Sequence, residues 1–360
     1  MALTPPSPAL SLTPGVGVPA APVAAGVRPP RTVAIGGGTG LPVLLRGLRS
    51  ALFPAAPGAR SARGRELLTA LVTVADDGGS SGRLRRAYGI LAPGDIRNCL
   101  VALAENARTA AMFDFRFDGN DGLAGHSLGN LILAALSRLE DRFPAAVERA
   151  GQFLDIQGSV LPATGADVRL LAELADGRHV DGESRIAAAR GRIRRIRLVP
   201  DDVPALPEAQ RAIAEAELVV IGPGSLYTSL IPVLLVQGIA DQIARSGARV
   251  VLVMNLMTEP GETVGMTAAD HVRALRRHAP SLPIHEVILE TTPISPRVLA
   301  SYAASGARPV IADLAALRAL GCRPVLEHTL AIGDKIRHDP HRLAAAVIRV
   351  AGQRPWWASA

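Results

Sequence analysis

Residues 32–52 read TVAIGGGTGLPVLLRGLRSAL, and the fold turns on how that stretch divides. Thr32–Ile35 is a short apolar run of the kind that forms a buried strand. Gly36, Gly37, Gly38, Thr39 and Gly40 follow, and Leu41, Leu44, Leu45 and Leu48 then recur at helical spacing. Glycines between a strand and a helix let the backbone approach a phosphate. The helix start adds unpaired N–H groups and the positive end of its dipole. Thr39 contributes a hydroxyl. The Lys-Ser/Thr ending of a P-loop is absent, and the third glycine of G-x-G-x-x-G would fall at Leu41, so neither standard fingerprint applies. A tight turn without ligand is the competing reading.

The same rhythm continues outward. After a Pro/Gly-rich loop over 54–65, a second buried strand is expected at Leu68–Val74, then helices near 95–105 and 126–140. In the second helix Leu128, Leu131, Ile132, Ala135, Leu136 and Leu139 are expected to share one face. From about 157 to 200 short alternating segments, punctuated by Asp176-Gly177 and Asp181-Gly182, read as hairpins of a β-rich insertion. Strands at Leu218–Ile221 and Arg249–Met254 restore the alternation. The fold class is therefore α/β, a Rossmann-like and mostly parallel sheet with a small β-rich insertion. One nucleotide-binding domain is expected over 32–352. A Pro/Ala-rich tail over 1–31, with eight prolines and no charge before Arg28, is expected to be disordered, and 353–360 forms a short C-terminal tail.

Composition narrows the class further. Lys335 is the only lysine, so the formal net charge of +7 is carried by arginine. The arginines are scattered, and the densest group (Arg190, Arg192, Arg194, Arg195, Arg197) alternates like a strand face. No aromatic-interleaved basic stripe argues for nucleic acid. Cys99 and Cys322 have no CxxC or Cys/His spacing, which fits a reducing compartment and no structural zinc. No run is long enough to span a membrane. These readings point to a cytoplasmic protein.

Four polar loops carry the chemistry. The first is Gly36–Gly40. The second, Asp76-Asp77-Gly78-Gly79-Ser80-Ser81-Gly82, ends the second strand, where an acid can accept from ribose hydroxyls or hold Mg²⁺ beside phosphates. A helix cap and turn is the alternative. Nearby, Asp95, Arg97 and Asn98 open another helix, and Arg97 either clamps a phosphate or pairs with Asp95. The third loop is Gly125-His126-Ser127-Leu128-Gly129-Asn130. It lacks a nucleophile elbow, so no Ser/His nucleophile is assigned. The fourth is Gly222-Pro223-Gly224-Ser225-Leu226-Tyr227-Thr228, joined by Asn255 after the next strand. In a parallel sheet such loops share one edge and form a single crevice.

The segments IGGGTGLPVLLRGLRS, VTVADDGGSSGRLRRAYGILAPGDIRNCLVALAE, GLAGHSLGN, VIGPGSLYTSLIPVLLV and NLMTEPGETVGMTAADH closely resemble the gluconeogenesis factor (YvcK-type) family, over about Thr32 to Ala345. That family shares a superfamily with 2-phospho-L-lactate transferase. The resemblance implies a Rossmann-like core that binds UDP-sugars, notably UDP-N-acetylglucosamine. It also implies a role in cell shape, cell-wall synthesis and growth on gluconeogenic carbon, with partner proteins from those processes. Gly36–Gly40 and Gly222, Gly224 and Ser225 are assigned to the diphosphate. Asp76 and Asp77 take sugar hydroxyls, directly or through Mg²⁺, and Arg97 or Arg337 offsets the charge. Tyr302 stacks on the base. Gly78, Gly79, Ser80, Asn98, Asn130, Tyr227, Thr228 and Asn255 complete the expected lining. No cofactor is required for this role, and an oligomer is compatible with it. Met266 stands where the family carries an aromatic. The transferase branch, which moves a phospholactyl group onto a deazaflavin, is the alternative reading.

Overall fold

A computed structural model describes residues 28–53 and 64–353. Ten strands occur among them: β1 (Thr32–Gly36), β2 (Leu68–Val72), β3 (Ser159–Pro162), β4 (Arg169–Leu174), β5 (His179–Asp181), β6 (Ile193–Val199), β7 (Leu218–Ile221), β8 (Arg249–Val253), β9 (Glu286–Glu290) and β10 (Arg323–Glu327). Seven form one parallel sheet in the order β10-β9-β8-β7-β1-β2-β3. The chain runs outward from β1 to β3, then returns to the other side of β1 as β7. The order reverses between β1 and β7, which is where open α/β sheets place a crevice at the carboxyl ends of their strands.

Both faces of this sheet are covered, so its central strands are apolar throughout rather than alternating. The pleat divides β1 between two cores. Ala34 packs with Leu41, Leu44, Leu48, Leu100 and Val347 beneath the helices Gly40–Leu52, Gly94–Leu103 and Pro340–Gly352. Val33 and Ile35 point the other way, to Leu170, Ala172 and Ile196 of the insertion and to Ile213, Ile243 and Val272. The insertion thus completes the second layer instead of standing apart as a lobe.

Three boundaries differ from the sequence reading. The expected insertion over 157–200 contains β3, which pairs in parallel with β2 in the main sheet. The separate antiparallel sheet, β5-β4-β6, starts only at Arg169. After β5 the chain forms a short helix, Glu183–Ala188, and not the second hairpin suggested by Asp181-Gly182. The expected tails mostly lie outside the described residues, but their inner ends belong to the fold. Arg28 pairs with Glu217 at 2.6 Å, and the Arg31 carbonyl accepts from the Glu217 and Leu218 amides. Gln353 accepts from Arg249 through its carbonyl and from Arg323 through its side chain. Finally, the helix Leu128–Leu139 buries Gly129, Asn130, Leu133 and Ala134, while Leu139 is 79% exposed. Its inward face is centred on Leu133, with Ile132 and Leu136 packed partly against the core and Ala134 against Leu84 and Ile90.

Gly47 is a tight spot in this scaffold. It lies under the Pro340 carbonyl and beside Ala344, so that a β-carbon there would fall 2.9 Å from the Ala344 methyl and closer still to the carbonyl oxygen. Gly47→Ala must therefore push the helix Gly40–Leu52 off the helix Pro340–Gly352. The expected loss is about 1–3 kcal/mol, typical of overpacking, read from the urea midpoint. An unchanged midpoint would mean that the two helices separate without cost.

Candidate functional site

The glycine loop sits where the sheet order reverses, and the protein itself occupies much of its surroundings. A β-carbon on Gly37 would lie 2.5 Å from Asp95 Oδ2 and 2.6 Å from Thr73 Cγ2. One on Gly40 would collide with the Pro223 carbonyl. Gly38 has φ +61°, the left-handed region that glycine enters without strain. These glycines let β1's loop pack against the loops after β2 and β7. Thr39 makes no capping hydrogen bond and is exposed at the mouth. The unpaired N–H groups of the helix Gly40–Leu52 remain there for an anion.

Carboxylates form the floor. The Gly38 N–H donates to Asp95. Burial pushes the Asp95 pKa up to about 6, with Asp76 adding to the rise. Asp76 accepts from the Gly78 N–H at 2.8 Å. Asp77 turns outward and accepts from the Ser184 N–H at 2.9 Å. It thereby clasps the helix Glu183–Ala188 of the insertion over the crevice. The same helix brings in Glu183, whose pKa burial pushes up to about 8, helped by Asp76, Asp95 and Asp77. Among the described residues no group of three His, Cys, Asp or Glu side chains is arranged to hold a metal ion.

The loop after β7 is held by two side chains. Asn255 brackets Gly224, accepting from its N–H at 3.0 Å and donating to its carbonyl at 2.8 Å. Glu262 accepts from the Tyr227 N–H at 3.0 Å and the Thr228 hydroxyl at 2.8 Å. Burial and the neighbouring Glu259 raise Glu262 to about 7. Ser225 donates to Glu259. Tyr227 and Thr228 are buried, and the Tyr227 N–H and the Thr228 hydroxyl are held by Glu262, so both residues shape the loop.

Two further expectations change. Arg97 neither clamps a phosphate nor pairs with Asp95. It is buried, forms an ion pair with Asp114 and donates to Asn98 Oδ1 at 2.6 Å. Ser80, expected in the lining, is 6% exposed and joins His126 and Asn130. Its Oγ lies 2.9 Å from His126 Nδ1 and accepts from Asn130 Nδ2 at 3.0 Å. Burial, Arg83 and Arg116 lower the His126 pKa. This network holds Asn130 on the buried face of the helix Leu128–Leu139. Gly79, by contrast, is exposed at the start of its helix, with open space where a β-carbon would be.

The segments carrying Tyr302 and Arg337 meet although 35 positions apart in the chain. The Ile336 N–H donates to the Tyr302 hydroxyl at 3.0 Å, which ties the half-buried Tyr302 to the segment that carries the exposed Arg337. Arg337 also lies close enough to Arg46 to lower that group's pKa, second to burial. Arg337 lies beyond the carboxyl end of β10, and the neighbouring His338 Nε2 lies 3.2 Å from the Met254 carbonyl just after β8, so this segment belongs to the carboxyl edge of the sheet.

The profile of the family described as 2-phospho-L-lactate transferase CofD matches residues 32–330. The gluconeogenesis factor of Bacillus subtilis is 43% identical over 321 residues, covering 89% of this chain and 97% of its own. That of Halalkalibacterium halodurans is 43% identical over 318 residues, covering 88% and 95%. The chain belongs to the CofD family, in its gluconeogenesis-factor branch. A crystal structure of a UPF0052 family member from Bacillus halodurans superposes with a TM-score of 0.83 at 42% identity, over 89% of this chain and all of that one. The mostly parallel sheet with its small antiparallel addition is thus the fold of this branch.

Glu183, Glu259 and Glu262 escaped the sequence reading. Each lies in a polar loop or short helix with no periodicity, and only the fold carries it to the crevice. Asp95 was visible, but as a partner for Arg97. The acids predict a pH dependence. Glu183, Glu262 and Asp95 all have folded pKa values above those of the free side chains. Folding therefore favours their protonated forms. Their contribution is full below the unfolded values and is lost as pH rises through the folded ones. Stability is expected to fall between about pH 5 and about pH 8, and Glu183→Gln should flatten the upper half of that decline. Melting temperatures across the range test this; a parallel profile in the variant would remove Glu183 from the cluster.

Proposed function

We propose that this chain is a cytoplasmic regulatory protein that binds a UDP-sugar, UDP-N-acetylglucosamine first among them, and reports its level to cell-wall synthesis and gluconeogenic growth. The carrying observation is the Tyr302–Ile336 hydrogen bond, which ties the helix bearing Tyr302 to the segment that carries Arg337. An aromatic ring and a guanidinium on joined segments suit a base and its attached phosphates. The start of the helix Gly40–Leu52 supplies N–H donors for the diphosphate, with Thr39 and Gly38 at its mouth. The names of the relatives support the physiological part of this reading. Partner proteins and self-association belong to the same proposal.

Carboxylates beside a diphosphate need an offset. Asp76 and Asp95 are the residues that would hold Mg²⁺ together with phosphate oxygens. This ion commonly binds through one or two carboxylates plus phosphates. When bound, it would neutralise phosphate charge; Gly38 and Gly78 orient the two carboxylates for that role through their N–H groups.

The family profile supports a second reading, transfer of a phospholactyl group. It is tested by incubating the protein with Mg²⁺, a deazaflavin and guanylyl-phospholactate and following product by mass spectrometry. Product that disappears in Asp76→Asn would replace the regulator reading.

For the first reading, UDP-N-acetylglucosamine should bind with one site per chain by calorimetry. Tyr302→Ala should weaken binding by at least about tenfold, the loss of one stacked ring being about 1–3 kcal/mol, with circular dichroism unchanged. Undiminished affinity in that variant would move the base elsewhere.

A further inference from the structure

A cavity of about 480 Å³ lies apart from Tyr302 and Arg337, between the insertion and the helix Ala268–His278. None of Gly36–Gly40, Asp76, Asn255, Tyr302 or Arg337 lines it. Four arginines do: Arg190 and Arg192 from the approach to β6, and Arg273 and Arg277 from the helix. The two acids in its wall are already engaged. Asp270 closes the capping box with Thr267 and pairs with Arg273 at 2.9 Å. Glu262 is bound to the loop after β7 and is raised to about 7. Arg190, Arg192 and Arg277 form no ion pair among the described residues.

The walls are rigidly joined. His278 Nε2 accepts from the Ile196 N–H of β6 at 3.0 Å, while its Nδ1 lies 2.8 Å from the Ala274 carbonyl. Tyr227 packs edge-on against the His278 ring, with centroids 6.0 Å apart. Burial raises the Tyr227 pKa, and Arg277 and Arg192 both oppose that rise, so both guanidiniums lie near its hydroxyl. Arg190 has φ +47°, a backbone region uncommon for residues other than glycine. Its conformation is imposed by the surrounding fold at the rim of the cavity. Ile193 and Met266 supply an apolar wall.

We propose that this cavity is a second ligand site, taking a small molecule that carries two phosphoryl groups on a compact apolar body. Three guanidiniums without acidic partners match the charge and the bidentate geometry of phosphate oxygens. The volume is that of a small-molecule site. Tyr227, Ile193 and Met266 would receive the body while Arg190, Arg192 and Arg277 hold the phosphoryl groups. The site is independent of the UDP-sugar reading, because the residues tested for the two do not overlap.

Calorimetric titration with sodium pyrophosphate, at physiological salt and with a chelator present, tests the proposal. Saturable binding at one site per chain is expected, at least about tenfold tighter than inorganic phosphate. It should weaken by about tenfold or more in the double variant Arg192→Gln, Arg277→Gln, which removes two charged donors to the phosphoryl oxygens. Arg337→Ala should leave it unchanged. Four outcomes would overturn the proposal: no saturable binding, equal affinity for inorganic phosphate, an unaffected double variant of normal circular dichroism, or loss in Arg337→Ala. The last would place the anion in the other crevice.

Discussion

Gly37 and Gly40 let three loops meet where side chains would hold them apart. Gly37 lies against Asp95 and Thr73, and Gly40 against the Pro223 carbonyl. Through these two contacts the loop after β1 touches the region after β2 on one side and the loop after β7 on the other. The sheet order reverses between β1 and β7, so this is the point at which its carboxyl edge opens. The glycines therefore serve the protein's own packing as well as any approach by phosphate. A branched side chain at Gly37 would first strike Asp95 and Thr73.

That packing concentrates negative charge. Asp76, Asp95, Glu183, Glu259 and Glu262 converge near the glycine loops, and burial raises four of them: Asp95, Glu183, Glu259 and Glu262. Hydrogen bonds from Gly38, Gly78, Tyr227 and Thr228 compensate part of the cost. What remains favours protons or cations, including an ion bound with a phosphorylated ligand. The insertion takes part in the balance. Asp77 holds its short helix by the Ser184 N–H, and the Ala187 carbonyl fits against Gly261, which has φ +90° and no side chain.

The family relationship covers the sheet that builds this crevice. The CofD profile spans nearly the whole sheet, and the gluconeogenesis factors share its length. The polar residues sort by their partners. Asn255 and Glu262 hold a loop, Arg97 ties two helices through Asp114, and Ser80 anchors Asn130. Thr39, Gly79 and Arg337 instead reach solvent. A polar residue spent on an internal hydrogen bond supports the site by shaping it, while an exposed donor at the mouth is available to a ligand.

The sequence alone determined the α/β class, the strand at Leu218–Ile221 and the joining of the glycine loops at one edge. Buried parallel strands are continuous apolar runs, and glycine junctions mark their carboxyl ends, so both signals are local. It also singled out Tyr302 and Arg337, through resemblance to a family. Tertiary structure decided that β3 belongs to the main sheet, since a four-residue strand reads the same in a hairpin as beside β2. It decided that Asp77 clasps the insertion, that Arg97 answers Asp114, and that Leu139 faces solvent while Asn130 is buried. The deciding partners, Ser184 for Asp77 and Ser80 for Asn130, lie far away in sequence. Only the packed fold settles whether a polar group meets another part of the chain or remains open to a ligand.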